Sequence, residues 1–416
     1  MRNRAADGLR GIASLVVALS HFVHAFWPGL MRNDYPVPEL NVQRMTLIES
    51  VLASPPAAIF FNGHFAVLIF FVLSGFVLSK PAIDGEYGSV RSRAWGRYFR
   101  LNIPIAVASL LSWAILTAGL NWNHEAAMIS SSQWFGEYFQ REVSLLTLLK
   151  TSLYAGLMGS TVLIPPVWSL KVEFLGSLLL LGTLALSPSR EGNLPSLAIC
   201  SLGIIIFKPS DFIFFLCFFA GAMLNYVRVS VLVGVGCAVL GLMLGAYRSS
   251  SGLFLWVPTF SAATTTAYNA VGAVLLVAAV CRAGTARMLL ESPIPQFLGK
   301  ISYSLYLIHF IILCSAASYT IVLLGADPFG LTISLAVYLL ATIIASAFFT
   351  RYIDSYAIKS GHKFSRFLGL PDKLNRSEGQ PPSLKDNSML GIESKSLRTR
   401  ALISRLGDAR QETSRD

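Results

Sequence analysis

Ten apolar stretches recur along this chain, at about residues 8–29, 62–79, 103–120, 167–187, 195–207, 211–226, 231–247, 266–281, 301–324 and 331–352. An α-helix rises about 1.5 Å per residue and the hydrocarbon core of a bilayer is about 30 Å thick, so stretches near twenty residues are the length that crosses it. Within that core each backbone amide must be satisfied inside the structure, which leaves helices or closed barrels; continuous rather than alternating apolar runs select helices. The expected fold is all-α, a polytopic integral membrane protein of about ten transmembrane helices. Composition agrees: 54% of residues are hydrophobic and 13% charged, against about a quarter charged in soluble domains.

The net charge of +11 on 416 residues therefore points to the bilayer, and no nucleic-acid partner is expected. Basic residues concentrate beside particular spans, as they do where cytoplasmic flanks set orientation. Arg2, Arg4 and Arg10 precede the first span, and Lys80, Arg91, Arg93, Arg97 and Arg100 follow the second. With ten spans both termini fall in the cytoplasm, and a cell (inner) membrane is the expected location. The N-terminus has a basic start without a small-residue cleavage site, so it reads as an uncleaved first span.

Residues 145–165 are apolar but carry Lys150 and end at Pro165-Pro166; a span there would turn the later basic residues outward. They are expected to be re-entrant or interfacial on the outer side. The short spans at 195–207 and 211–226 suggest a tight hairpin about Lys208-Pro209-Ser210-Asp211. The expected domains are a membrane unit, 1–353, and a polar, disordered cytoplasmic tail, 354–416. The five cysteines have no Cys-x-x-Cys spacing, so neither a disulfide framework nor a thiolate metal site is indicated. His24 lies one turn after His21, but His-x-x-His alone is a poor metal signal, and no metal is expected.

Ionisable groups inside spans are the functional candidates. His21 sits roughly 18 Å from the cytoplasmic edge of span one, and Glu173, about 9 Å in from the outside on span four, reaches a similar depth. His309 enters span nine from the inside and lies roughly 12 Å deep, below His21. Arg10, Arg97 and Arg100 gather at the cytoplasmic mouth. Arginines suit phosphates, whose charge they match with forked hydrogen bonds. A histidine suits proton transfer to a hydroxyl or transient acylation, and a carboxylate such as Glu173 would orient it. For His309 a packing role, hydrogen-bonded between helices, weighs as much as a functional one. Ser74 and Gly75 read as close-packing residues.

Four segments together carry a resemblance: Asp7-Gly8-Leu9-Arg10-Gly11-Ile12-Ala13 with His21, Phe70-Phe71-Val72-Leu73-Ser74-Gly75-Phe76, Trp168-Ser169-Leu170 with Glu173, and Ile301-Ser302-Tyr303-Ser304-Leu305-Tyr306-Leu307-Ile308-His309. In this order the chain resembles the membrane-bound acyltransferase family 3. The resemblance implies an O-acyltransferase moving an acyl group, often acetyl from acetyl-CoA, to a hydroxyl of a cell-surface carbohydrate or lipid-linked glycan. It implies no permanently bound cofactor, with acyl-CoA as donor substrate. On that analogy His21 and Arg10, with Glu173, are catalytic. Arg97, Arg100, Trp168, Ser169, Tyr303 and His309 would bind substrate. The alternative class is a proton-coupled transporter, which also uses intramembrane His and Glu.

Overall fold

The computed structural model describes residues 3–31, 47–140, 142–187, 189–207, 211–247, 254, 257–259 and 263–369. Among them regular structure is helical throughout. Eleven helices carry the argument: α1 (Arg4–Phe26), α2 (Gly63–Ile83), α3 (Tyr87–Thr117), α4 (Trp168–Leu186), α5 (Arg190–Phe207), α6 (Phe212–Met223), α7 (Val231–Gly245), α8 (Thr264–Ala278), α9 (Pro293–Ile312), α10 (Pro328–Phe349) and α11 (Ser355–Phe367). Seven helical runs are long and apolar enough to cross a membrane, those of α1, α2, α3, α4, α8, α9 and α10; α5, α6 and α7 are shorter apolar helices. All lie in the unit Met1–Pro371.

Helix starts follow from polar residues placed just ahead of apolar runs. The Asn3 side chain accepts from the Ala6 amide at 3.1 Å, Asn62 from Phe65 at 3.0 Å and Asp327 from Gly330 at 2.7 Å. Each satisfies an amide that has no partner inside the helix. Pro293 and Pro328 occupy first-turn positions, where a missing N–H costs nothing.

Two starts differ from expectation. The third helix begins at Tyr87 rather than near 103, so Arg91, Arg93, Arg97 and Arg100 are helical residues and not a loop. Arginine is a good helix former, and a helix of 31 residues, about 46 Å long, is free to run past the membrane edge. The ninth helix begins at Pro293, eight residues ahead of the expected start, which places His309 sixteen residues along, about 24 Å, instead of roughly 12 Å.

Residues 143–165 run down α3 and return. Trp113 Nε1 donates to the Val143 carbonyl at 2.9 Å, Tyr98 Oη to Leu153 at 2.7 Å, and Ser112 Oγ to Leu163 at 2.7 Å. The helical part, Leu145–Ala155, is too short to cross, and the α3 side chains satisfy the backbone groups of its turn, as buried irregular backbone requires. This is the re-entrant alternative.

Helix continues beyond residue 353. A π-turn, Thr350–Asp354, joins α10 to α11, so the first residues of the expected tail are helical. Ala357, Gly361 and Ser365 of α11 are buried, and Ser365 Oγ donates to the Ser92 carbonyl of α3 at 3.0 Å. Residues 370–416, like residues 208–210 of the expected hairpin, lie outside the described residues.

The contact that sets the site is α1 on α9. A Cβ on Gly11 would stand 2.3 Å from the Gly299 amide nitrogen, and one on Gly299 would stand 2.2 Å from the Asp7 carbonyl oxygen. Only glycine permits that approach. The two helices run parallel, and in both the next histidine comes ten residues later: Gly11 to His21, Gly299 to His309. One glycine contact therefore brings the histidines to the same level. Gly75 plays a similar part between α2 and α6, facing the Phe218 carbonyl.

Candidate active site

A cavity of about 370 Å³ opens among the helix ends that carry the arginines. Asp7 and Arg10 of α1, Arg97 and Arg100 of α3, and Lys300 of α9 line its outer part, and Ser74 and Glu173 its middle. Phe70, Ser169 and Tyr306 line its inner end. The π-turn after α10 contributes Thr350 and Asp354. Such turns interrupt a helix where side chains must be re-aimed. Asp354 joins Arg10, Arg97 and Glu173 as a charged neighbour of Arg100, whose side chain is exposed to the cavity.

Arg97 is different: it is 5% exposed and fully engaged. Its guanidinium pairs with the Glu173 carboxylate and donates through Nε to Ser177 Oγ at 2.9 Å. Ser74 Oγ donates to the same carboxylate at 3.0 Å. Glu173 is thus the partner of Arg97 and Ser74, which corrects its expected role as the group orienting His21. Depth alone suggested that pairing; α4 instead turns Glu173 toward α3, where a buried guanidinium requires a counter-charge. Glu173→Gln is expected to destabilise the protein by about 3 kcal/mol because it strands the arginine. Arg97→Met with Glu173→Gln should melt closer to wild type than Glu173→Gln alone, measured in detergent micelles.

Tyr303 and Ser169 both reach the cavity. Tyr303 Oη donates to the Leu101 carbonyl at 2.9 Å and ties α9 to α3. Ser169 Oγ and Tyr306 Oη share a hydrogen bond of 2.6 Å, and Tyr306 Oη donates to the Pro166 carbonyl at 3.0 Å. Trp168 does not line the cavity; it is 37% exposed and tilts against Phe214 at 5.8 Å. Helix phase explains the difference, since adjacent residues on α4 lie about 100° apart.

Beyond the inner wall stand the histidines. Tyr306 touches the His309 ring, centroid to centroid 5.9 Å. His309 is wholly buried on α9, and its Nδ1 lies 3.0 Å from the Leu305 carbonyl oxygen. Its Nε2 lies 2.9 Å from Nδ1 of His21. A carbonyl only accepts, so His309 carries its proton on Nδ1 and its Nε2 is an acceptor. His21 must then donate from Nδ1, which leaves its own Nε2 with a lone pair. The order of hydrogen bonds sets His21 as a base.

Trp134 lies flat against the His21 ring, 5.8 Å between centroids and 8° between planes, with Phe310 edge-on at 5.5 Å. Trp134 also packs on His24 at 4.9 Å, and Ser132 Oγ donates to the His24 carbonyl at 2.7 Å. The short helices Asn123–Ser130 and Gln133–Gly136 thereby cover the histidines from the outer side. His64 is occupied elsewhere, with Thr266 Oγ1 at 3.1 Å. Sequence reasoning gave Trp134 and Tyr306 no site role and read Ser74 as a close-packing residue. The signal for the histidine pair was present, in the common ten-residue spacing from glycine to histidine on helices one and nine.

A family model described as an acyltransferase domain matches residues 3–351. The chain is also similar to O-acetyltransferase PaAT-1 of Phomopsis amygdali, 24% identical over 446 aligned positions that cover 90% of this chain and 86% of that protein. No solved structure matches the chain.

Proposed function

Since the chain belongs to this acyltransferase family and is an acyltransferase, we propose that it moves an acyl group, acetyl from acetyl-CoA, onto a hydroxyl of a cell-surface or exported carbohydrate. The observation that carries this reading is the chain of hydrogen bonds from Leu305 through His309 to His21, which stands just beyond the inner wall of a basic cavity. Membership of the family sets aside the transporter alternative.

The donor enters from the cytoplasmic side, where the basic residues place the ends of α1 and α3. Its phosphates meet Arg10 and Arg100. Arg97, already neutralised by Glu173, shapes the wall. The acyl-pantetheine arm fills the cavity toward Tyr306. The acceptor comes from the opposite side, past Trp134 and Tyr138. His21 Nε2 takes the hydroxyl proton as the oxygen attacks the thioester carbonyl, and the carbon–sulfur bond breaks. The departing thiolate then takes that proton from His21, so the products are the ester and free CoA thiol. His309 accepts from Nδ1 throughout and holds the imidazolium. On this reading both ends of the chain face the cytoplasm and the protein lies in a cell membrane.

The test uses the protein in membranes with radiolabelled acetyl-CoA. Wild type should transfer label to glycan, and His21→Ala should lose about 10²-fold or more of that rate, within the range for general base catalysis. Equal labelling would sink the reading.

A further inference from the structure

The cavity is small for its donor. At about 370 Å³ it sits at the lower end of the range for ligand sites, about 300–1,000 Å³. An acyl-pantetheine arm suits it. With the diphosphate at Arg10 and Arg100, the adenosine of the same molecule and its 3′-phosphate must lie outside, beyond the mouth.

Two helices continue past that mouth. Helix runs from Pro328 to Phe367 over 40 residues, through the π-turn at Thr350–Asp354, about 60 Å, twice a bilayer core. It therefore leaves the membrane at the end where α3 also overruns. There the two pack antiparallel: Gly361 meets Gly96, and four residues on Ser365 reaches Ser92, four residues back, with Phe364 against Phe99 at 4.8 Å. With one face of α11 fixed on α3, the direction of the others follows. Ser355 lines the cavity, and residues 355, 359, 362 and 366, spaced four, three and four, share one stripe. That stripe reads Ser355, Lys359, His362 and Arg366, and Lys359 and Arg366 are exposed. On α3, Arg93 falls below Arg97 and Arg100 at the same spacings.

We propose that α11, with Arg93 of α3, forms a nucleotide-phosphate subsite: Lys359 and Arg366 receive the 3′-phosphate of the acyl-CoA whose arm occupies the cavity and whose diphosphate lies at the mouth with Arg10 and Arg100. The subsite rests on the acyl-CoA reading above. It assigns a function to the exposed side of a helix whose buried face packs on α3. Phosphate is also the chemistry of anionic lipid headgroups, and the experiment separates the two sources.

Full-length protein in nanodiscs is assayed with acetyl-CoA and with S-acetyl-pantetheine, which lacks the nucleotide. The wild type prefers acetyl-CoA in kcat/KM. In Lys359→Gln/Arg366→Gln that preference should fall about tenfold or more, through KM for acetyl-CoA, since each charge-assisted hydrogen bond contributes roughly a factor of ten. The fall should be the same in phosphatidylcholine discs as in discs containing phosphatidylserine. An unchanged preference overturns the subsite, as does an equal loss with both donors, which would mark a structural role. A loss confined to phosphatidylserine discs assigns the stripe to lipid instead. If wild type uses neither donor while retaining transfer from another acyl source, the acyl-CoA reading fails, and the subsite with it. Arg93→Gln serves as the second variant, expected to shift the same ratio in the same direction.

Discussion

His309→Leu is expected to lower kcat by about 10²–10³ with little change in KM for the acyl donor, because His309 stands behind the base and not in the donor cavity. Leucine fills a similar space but offers no acceptor, so His21 keeps only its backbone contact with Val17 and loses the partner that fixes its ring and holds its imidazolium. His309→Gln is the informative partner: its amide oxygen reaches the position of the lost Nε2 and accepts from His21 Nδ1. Glutamine should recover a tenfold or larger part of the rate. A purely structural role predicts leucine and glutamine to fail alike, or glutamine to fail worse because it buries an amide. The observation behind this is one short path: Leu305 carbonyl to His309 at 3.0 Å, then His309 to His21 at 2.9 Å.

Gly299→Val should cause the second large effect, the loss of both stability and activity. A side chain there meets the Asp7 carbonyl within 2.2 Å, a backbone atom that has no rotamer to give. Overpacking by a few methyl groups costs about 1–3 kcal/mol where neighbours yield, and here α1 must move as a body. That shift separates His21 from His309 ten residues further along, so activity should fall more than the melting temperature alone accounts for. Gly182→Ala is the matched control. Its Cβ would enter open space, and replacing a mid-helix glycine with alanine stabilises a helix by up to about 1 kcal/mol. If Gly299→Val retains wild-type transfer, the glycine contact does not set the histidine register.

Much of the helical order was readable from the residues, since apolar runs, caps such as Asn62 and Asp327, and first-turn prolines are local signals. The arginine end of the cavity was readable too, because the bases cluster in sequence. Errors arose where a helix outran its apolar run. The hydropathy of α3 rises near residue 103, but the backbone is already helical at Tyr87, so the arginines were taken for a loop. The same error at Pro293 put His309 too shallow. Glu173 failed for another reason: depth along the membrane is legible, but the direction a side chain faces depends on which helix packs beside it.

The sequence by itself determined a membrane-embedded, all-helical chain of this family, with Arg10, His21, Glu173 and His309 as the costly polar residues that need partners. Those follow from hydrophobicity, spacing and the expense of charge in hydrocarbon. Only the tertiary structure decided who the partners are. Glu173 neutralises Arg97, and His309 takes its place behind His21, because the approach of α1 to α9 at Gly11 and Gly299 is a contact between segments nearly three hundred residues apart. No local periodicity encodes such a contact, although the equal spacing from glycine to histidine on both helices records its result.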